Sequence, residues 1–247
     1  RHGVLPDVIA MEEVDHYHDW FEPVLAELGY EGTFVAKPNS PCKYSLDSSL
    51  ADGCALFWRR DAVSLVQLET VSYDSVGVDG QLTGGKDNQV AILARLRPRG
   101  GAALTVAVTH LVAKKTADGE RQRAQQLGQL LDRVRAHGLP CVVAADLNAA
   151  PVRGAAADYE QMAYPLALRH ELGLKSAYAE ALGAEPAYTT WKRRGSDEAM
   201  HTIDYIFVSP GIQVASVLAP PASEDVDPER LPTWRYPSDH VALMAEL

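Results

Sequence analysis

A mixed α/β architecture in one domain spanning 1–247 is what this sequence predicts, on three observations. Apolar runs of strand length alternate with amphipathic helical stretches. Two of those runs, Gln89–Leu96 and Leu104–Thr109, stand close enough to pair through Pro98-Arg99-Gly100-Gly101, which argues for a mixed sheet over a pure strand-helix-strand wind. With 247 residues, 47% of them hydrophobic, the chain can bury a full core.

Taken in order, Val4–Met11 reads as a short buried strand ending at Glu12-Glu13. Asp19–Leu28 has helical spacing, with Trp20, Val24, Leu25 and Leu28 on one face and Gly29 as its stop. Gly32–Ala36 reads as a strand, followed by the loop Lys37-Pro38-Asn39-Ser40-Pro41, and Cys54–Trp58 as another strand. Residues 73–88, rich in Gly, Asp and Ser, read as a surface loop. Gly119–Arg135 is the clearest helix, its stripe formed by Leu127, Leu130, Leu131 and Val134. Cys141–Ala145 is a buried strand ending at Asp146, and Ile203–Val208 a strand carrying Asp204. Residues 219–232 form a Pro- and acid-rich loop; the turn Tyr236-Pro237-Ser238 then leads through Asp239-His240 into an expected strand, Val241–Ala245.

Thirty-three acidic against 23 basic residues give a net charge of −10, which argues against a surface that coats nucleic acid. It leaves room for a phosphate substrate, because a divalent cation held by carboxylates reverses the local field. No apolar run approaches the roughly 20 residues of a membrane span. Arg1–Pro6 lacks the apolar stretch of a signal peptide. Three widely spaced cysteines fit a reducing, intracellular setting, in the cytoplasm or an organelle such as the mitochondrion.

Five of the strand-like runs end at, or carry, a residue suited to metal or phosphate chemistry: Glu13, His110, Asp146 with Asn148, Asp204, and the pair Asp239-His240. A metal phosphoesterase needs an oxygen ligand for Mg²⁺, a histidine to stabilise charge on the phosphoryl oxygens, and a carboxylate to orient the attacking water. Alone, each residue has a blander account as a loop cap or a structural imidazole. Their joint placement at strand ends, which are rigid mounts facing a crevice, favours the chemical reading.

The stretches PDVIAMEEV, THL, VVAADLNAAP, HTIDYIFVS and YPSDHVAL resemble, in order, the motif series of the endonuclease/exonuclease/phosphatase superfamily. That superfamily includes DNase I-like nucleases, inositol phosphatases and CCR4-type deadenylases. Further stretches, among them DGCALFW, NQVAI, YTTWKRR and RLPTWRYPSDH, resemble a CCR4-like branch whose activity is removal of the 2′-phosphate from NADP⁺ and NADPH.

The resemblance implies a DNase I-like α/β sandwich of two facing sheets with helices outside, and a cleft dependent on Mg²⁺, for which Mn²⁺ can substitute. It implies Glu13 as main metal ligand and Asp239 as holder of a second ion or its water. Asp146 would activate water or stabilise the leaving oxygen, Asn148 hold the phosphate or its water, and His110 contact phosphoryl oxygens. Asp204 would orient His240, which stabilises the phosphorus centre. Lys37, Lys114 and Arg194 would contact the dinucleotide. Trp191 and Trp234 are read as core residues, with adenine contact the alternative.

Three departures stand out: the chain starts after the family's first, Asn-bearing strand, Glu12 replaces the usual Gln, and Val112 replaces a lysine. The leading expectation is a monomeric NADP(H) 2′-phosphatase. The alternatives are a 3′-to-5′ poly(A) exoribonuclease, disfavoured by the acidic balance and scarce free aromatics, and a non-catalytic binding module.

Overall fold

The computed structural model describes residues 5–44, 50–77, 81–151 and 158–247. Strands Val8–Val14 (β1), Tyr30–Ala36 (β2) and Gly53–Arg59 (β3) form an antiparallel sheet in the order β1-β3-β2. A six-stranded sheet runs in the order β4-β5-β6-β7-β11-β8. Its members are Val63–Val76 (β4), Leu82–Pro98 (β5), Leu104–His110 (β6), Cys141–Asp146 (β7), Lys175–Ser176 (β8) and Asp204–Val208 (β11). β6 and β7 are parallel and the other pairs antiparallel, so the sheet is mixed. β5 and β6 pair as the sequence predicts, through a turn in which Gly101 N–H bonds Pro98 O at 3.0 Å.

The two sheets face each other. Between them lie Val8 and Ala10 of β1, Cys54, Leu56 and Trp58 of β3, Val106 and Val108 of β6, Val142 of β7, and Ile206 and Val208 of β11. The opposite face of the large sheet is covered by the helices Ala117–Ala136 (α2) and Ala163–Arg169 (α3), whose Leu127, Leu130, Leu131 and Val134 pack on Leu93, Ala107 and Val143. Thr116 starts α2 by accepting the Gly119 N–H at 3.1 Å, and acidic residues in the first turn and Arg133 and Arg135 in the last oppose the helix dipole. The outer face of the small sheet is covered by a π-type turn, Tyr17–Phe21, running into the helix Glu22–Glu27 (α1). Helix, sheet, sheet and helix thus stack in four layers.

Four sequence expectations change. The buried face of the 17–28 segment is Tyr17, Phe21 and Leu25; Trp20, Val24 and Leu28 are exposed, because the wider π turn rotates the helical register before α1 begins. Much of 73–88, read as a loop, belongs to the long β4–β5 hairpin, whose polar residues alternate on solvated arms; 78–80 lie outside the described residues. Of the expected terminal strand only Ala245 pairs, in the two-residue strand Ala245–Glu246 (β13) against Ser216–Val217 (β12). Trp234 is fully exposed on its turn, whereas Trp191 is buried against Tyr188, Val226, Leu231 and Val241. The first expected strand begins at Val8, Val4 lying outside the described residues. Among the described residues no helix is long and apolar enough to cross a membrane.

Candidate functional site

Strand alternation assembles the centre of the site. In β6 the inward row runs Val106, Val108, His110; in β7 Val142, Ala144, Asp146; in β11, read backwards, Val208, Ile206, Asp204. Every second side chain points to one face, so the residue ending each apolar row continues into the same inter-sheet space. Register then aligns them, since His110 pairs with Asp146 and Asp146 with Asp204 across neighbouring strands. Hydrophobic rows fix the strands, and the polar ends emerge where the sandwich opens.

Asp146 occupies the middle and is only 7% exposed. Its Oδ1 accepts the Asn148 N–H at 2.7 Å, and its Oδ2 lies 3.6 Å from His110 Nε2. Asn148 has a left-handed backbone, φ 50°, a conformation costly for a non-glycine residue and characteristic of functional loops. Its Nδ2 donates to Leu111 O at 3.0 Å and to His110 Nε2 at 2.8 Å. The carbonyl partner fixes the amide orientation, so Nε2 accepts and the His110 proton sits on Nδ1. Burial, with Lys37 nearby, holds the His110 pKa down to about 3, and its buried Nδ1 has no protein partner.

His240 reaches the cluster from the C-terminal segment. It is anchored by a bridge to Thr190 in the hairpin Thr190–Arg194 (β9) and Asp197–His201 (β10), and Val241 N–H bonds Thr189 O at 2.8 Å. His240 Nδ1 lies 3.0 and 2.9 Å from the two oxygens of Asp204. Burial would lower its pKa, but that hydrogen bond and the charges of Asp204, Asp146 and Asp239 raise it to about 9, so the ring is an imidazolium at neutral pH. Thr189 Oγ1 also donates to Asp204, an anchor the sequence reading missed.

On the facing sheet, β1 lies against β6 and β7. Val8, Ala10 and then Glu12 make its inward row. Burial and the charges of Asp204 and Asp146 push the Glu12 carboxyl up to about 8, and burial with Asp204 pushes Asp146 upward likewise. The β1–β3 register breaks between Met11 and Val14, and at that bulge Glu13 takes a left-handed φ of 55°. Its side chain is 68% exposed, with Oε1 3.7 Å from His110 Nδ1. Sequence reading had noted Glu12 only as a departure; the period of two along Val8-Ala10-Glu12 was the signal that could have placed it.

An oxygen each of Asp146 and Asp204 and a ring nitrogen of His240 lie within 4.8 Å of one another; with His240 charged, the two carboxylates are the ones with lone pairs to offer a metal ion. Carboxylates crowded to the point of holding protons form an oxygen donor set that a divalent cation fits, displacing those protons. Asp239 stands apart from this group: its Oδ2 pairs with Lys192 Nζ at 2.7 Å, and the Thr190 hydroxyl donates to its carbonyl at 2.8 Å.

The remaining expected residues lie on the surroundings. Lys37 is buried with Nζ 2.6 Å from Asp52 Oδ2. Lys114 is exposed on the segment following His110, and Arg194 is exposed at the end of β9 opposite Asp197. Trp191 donates through Nε1 to Glu198 at 2.6 Å beneath the Arg230 guanidinium, 4.1 Å from the ring centre, and so is committed to packing.

Comparison with known proteins gives a consistent picture. The profile of the Endonuclease/Exonuclease/phosphatase family matches residues 2–240. Nocturnin of Xenopus laevis is 38% identical over 250 residues, covering 98% of this chain and 60% of that protein. The CCR4-Not complex 3′-5′-exoribonuclease subunit Ccr4 of Candida albicans is 28% identical over 289 residues, covering 97% of this chain and 35% of that protein. The chain thus spans less than two thirds of the length of these relatives. Among solved structures, the human nocturnin catalytic domain with bound sulfate anion superposes with a TM-score of 0.78 at 34% identity, covering 97% of this chain and 79% of that one.

Proposed function

Given that this chain belongs to the endonuclease/exonuclease/phosphatase family, we propose that it is a Mg²⁺-dependent phosphatase that removes the 2′-phosphate from NADP⁺ and NADPH. The observation that carries a phosphoester reading is the meeting of His110, Asp146 and Asp204 in one cross-strand row, with His240 locked onto Asp204. The likeness to nocturnin supports the narrower substrate, and the sulfate bound by the human nocturnin catalytic domain supports a phosphate-like anion as the group bound.

In this reading Glu13 would hold the cation, Glu12 would give up its proton to the cation's field behind it, and Asp239, already paired with Lys192, would bind one of the cation's waters. Bound Mg²⁺ would supply charge neutralisation for the phosphoryl oxygens and the leaving oxygen. The chain's own residues do the rest. Asp146 orients the attacking water and takes its proton, a role that an elevated carboxyl pKa suits. His110 meets the phosphoryl oxygens through its unpaired Nδ1–H, and the Asn148 amide, whose Nδ2 is bonded to His110 and Leu111, holds the attacking water through its oxygen. His240, charged and turned by Asp204 so that Nε2 faces away from the carboxylate, donates to the oxygens that gain charge as the phosphorus becomes five-coordinate. Lys37, Lys114 and Arg194 give the dinucleotide its positive surroundings, with lysine at 114 offering a point charge where an arginine would grip in two places.

The test is incubation with Mg²⁺ and NADPH, reading inorganic phosphate and NADH. Release of phosphate from simple phosphoesters but not from NADPH would keep the chemistry and remove the substrate. AMP from oligo(A) would instead favour the exoribonuclease reading, which the likeness to Ccr4 keeps in view.

A further inference from the structure

Glu120 and Arg123, early in α2, are 0% and 1% exposed. Arg123 donates to Glu120 Oε2 from Nε at 2.7 Å and from Nη2 at 2.6 Å. A buried ion pair is costly unless its remaining donors and acceptors are filled. Here they are filled by the backbones of the segment leaving His110 and of the start of α3.

Glu120 Oε1 accepts the Met162 and Ala163 N–H groups at 2.6 and 2.8 Å, where the chain leaving Asn148 enters α3. Arg123 Nη1 donates to Val112 O and Lys114 O, each at 2.9 Å, on the segment leaving His110. Gln126 Oε1 accepts the Val112 N–H at 3.1 Å, and Asn148 Nδ2 holds Leu111 O. Gly119 is required beneath this segment, because a Cβ there would overlap the Lys114 carbonyl. The backbone from Leu111 to Lys114 is therefore pinned from the helix side, while the Lys114 and Lys115 side chains stand in solvent. Lys115 also reaches the neighbourhood of the β9–β10 hairpin: after burial, it and Lys192 are what hold the His201 imidazole below its ordinary pKa.

We propose that the buried Glu120–Arg123 pair is a positioning device, which fixes the Lys114–Lys115 segment as the basic rim that receives a phosphate group of the substrate. The inference rests on the phosphoesterase reading but concerns recognition, not bond cleavage. Arginine is required because one guanidinium reaches a carboxylate with two donors and two carbonyls with a third nitrogen; a lysine reaches at most some of these. Arg123 touches no substrate and acts only through the segment it holds.

The experiment compares the wild-type chain with Arg123→Lys, the double variant Lys114→Ala/Lys115→Ala, and all three changes together. Melting temperature, kcat and KM for NADPH are measured for each, with inorganic phosphate binding by calorimetry. Arg123→Lys is expected to raise KM about tenfold, the weight of a weakened charge-assisted contact, with kcat nearly unchanged. The triple variant should bind no worse than the lysine double variant, because the pair acts through those lysines. Additive losses, or a fall in kcat at constant KM, would overturn the proposal. Should Arg123→Lys fail to fold, Gln126→Leu removes the Val112 N–H partner alone, and an unchanged KM there would count against it equally. If NADPH is not cleaved, phosphate affinity carries the same comparison: equal affinity in wild type and both variants refutes the rim, while a shared loss upholds it with the substrate reading removed.

Discussion

Asp204 and His240, 36 residues apart, are joined by a hydrogen bond in which the imidazole Nδ1 lies 2.9 Å from one carboxylate oxygen and 3.0 Å from the other. That contact fixes the ring orientation and keeps the ring charged. Asp204→Asn should leave the fold standing, because Thr189 still bonds the side chain, yet lower kcat by roughly 10²- to 10⁴-fold. Phosphate release, with circular dichroism as the folding control, checks it. A full rate would take His240 out of the chemistry.

Glu13 and Glu12 should both be read in Mg²⁺ affinity. Glu13→Ala is expected to weaken Mg²⁺ binding in calorimetry, with turnover partly restored at high Mg²⁺. Glu12→Gln removes a carboxyl, aligned with Asp146 and Asp204, that a bound cation would deprotonate, and should also weaken Mg²⁺ binding. Rates unchanged in EDTA would refute a metal role for both.

Lys37 and Asp52 form a buried pair that makes one prediction about stability and one about pH. Lys37→Ala leaves the Asp52 carboxylate buried without its cation and should cost about 3–5 kcal/mol, read by denaturant unfolding. Burial alone would raise the Asp52 pKa, but hydrogen bonds from Lys37 and Ser40 outweigh it and hold the group below 3.8. A depressed folded pKa means the contribution is complete above about pH 4 and fades as pH falls through the folded value. Melting temperature should therefore drop below pH 4, with a flatter slope in Asp52→Asn. An equal slope in both would remove this pair as the cause.

Arg194 offers a cleaner substrate probe than Lys37, since it is exposed and its loss disturbs no buried charge. Arg194→Ala should weaken NADPH binding more than that of a simple phosphoester, at unchanged melting temperature. Equal effects on both substrates would place the dinucleotide elsewhere.

The apolar rows were legible in the sequence because burial on a sheet leaves a period of two, and the polar residues ending those rows are the ones the strand register brings together. Thus Val106-Val108-His110 and Val142-Ala144-Asp146 could be read before any coordinates. The β4–β5 hairpin was not, because its outer arms are solvated and carry Asp74, Ser75, Gly84 and Gly85, residues common in loops. The Tyr17–Phe21 turn was missed for another reason: a π turn shifts the helical phase, so a 3.6-residue template selects the wrong face. Lys192–Asp239 joins residues brought together only by tertiary contacts, and Glu120–Arg123, though i,i+3 on one helix, is buried only by tertiary packing, while charge in a sequence reads as surface.

The central claim is tested most directly by offering the protein NADPH and oligo(A) in parallel with Mg²⁺, and measuring inorganic phosphate against AMP. The account predicts stoichiometric phosphate and NADH from NADPH, abolished in Asp146→Asn, and no AMP. NADPH left intact beside AMP released from oligo(A), or no product from either in a folded, Mg²⁺-saturated protein, would contradict it.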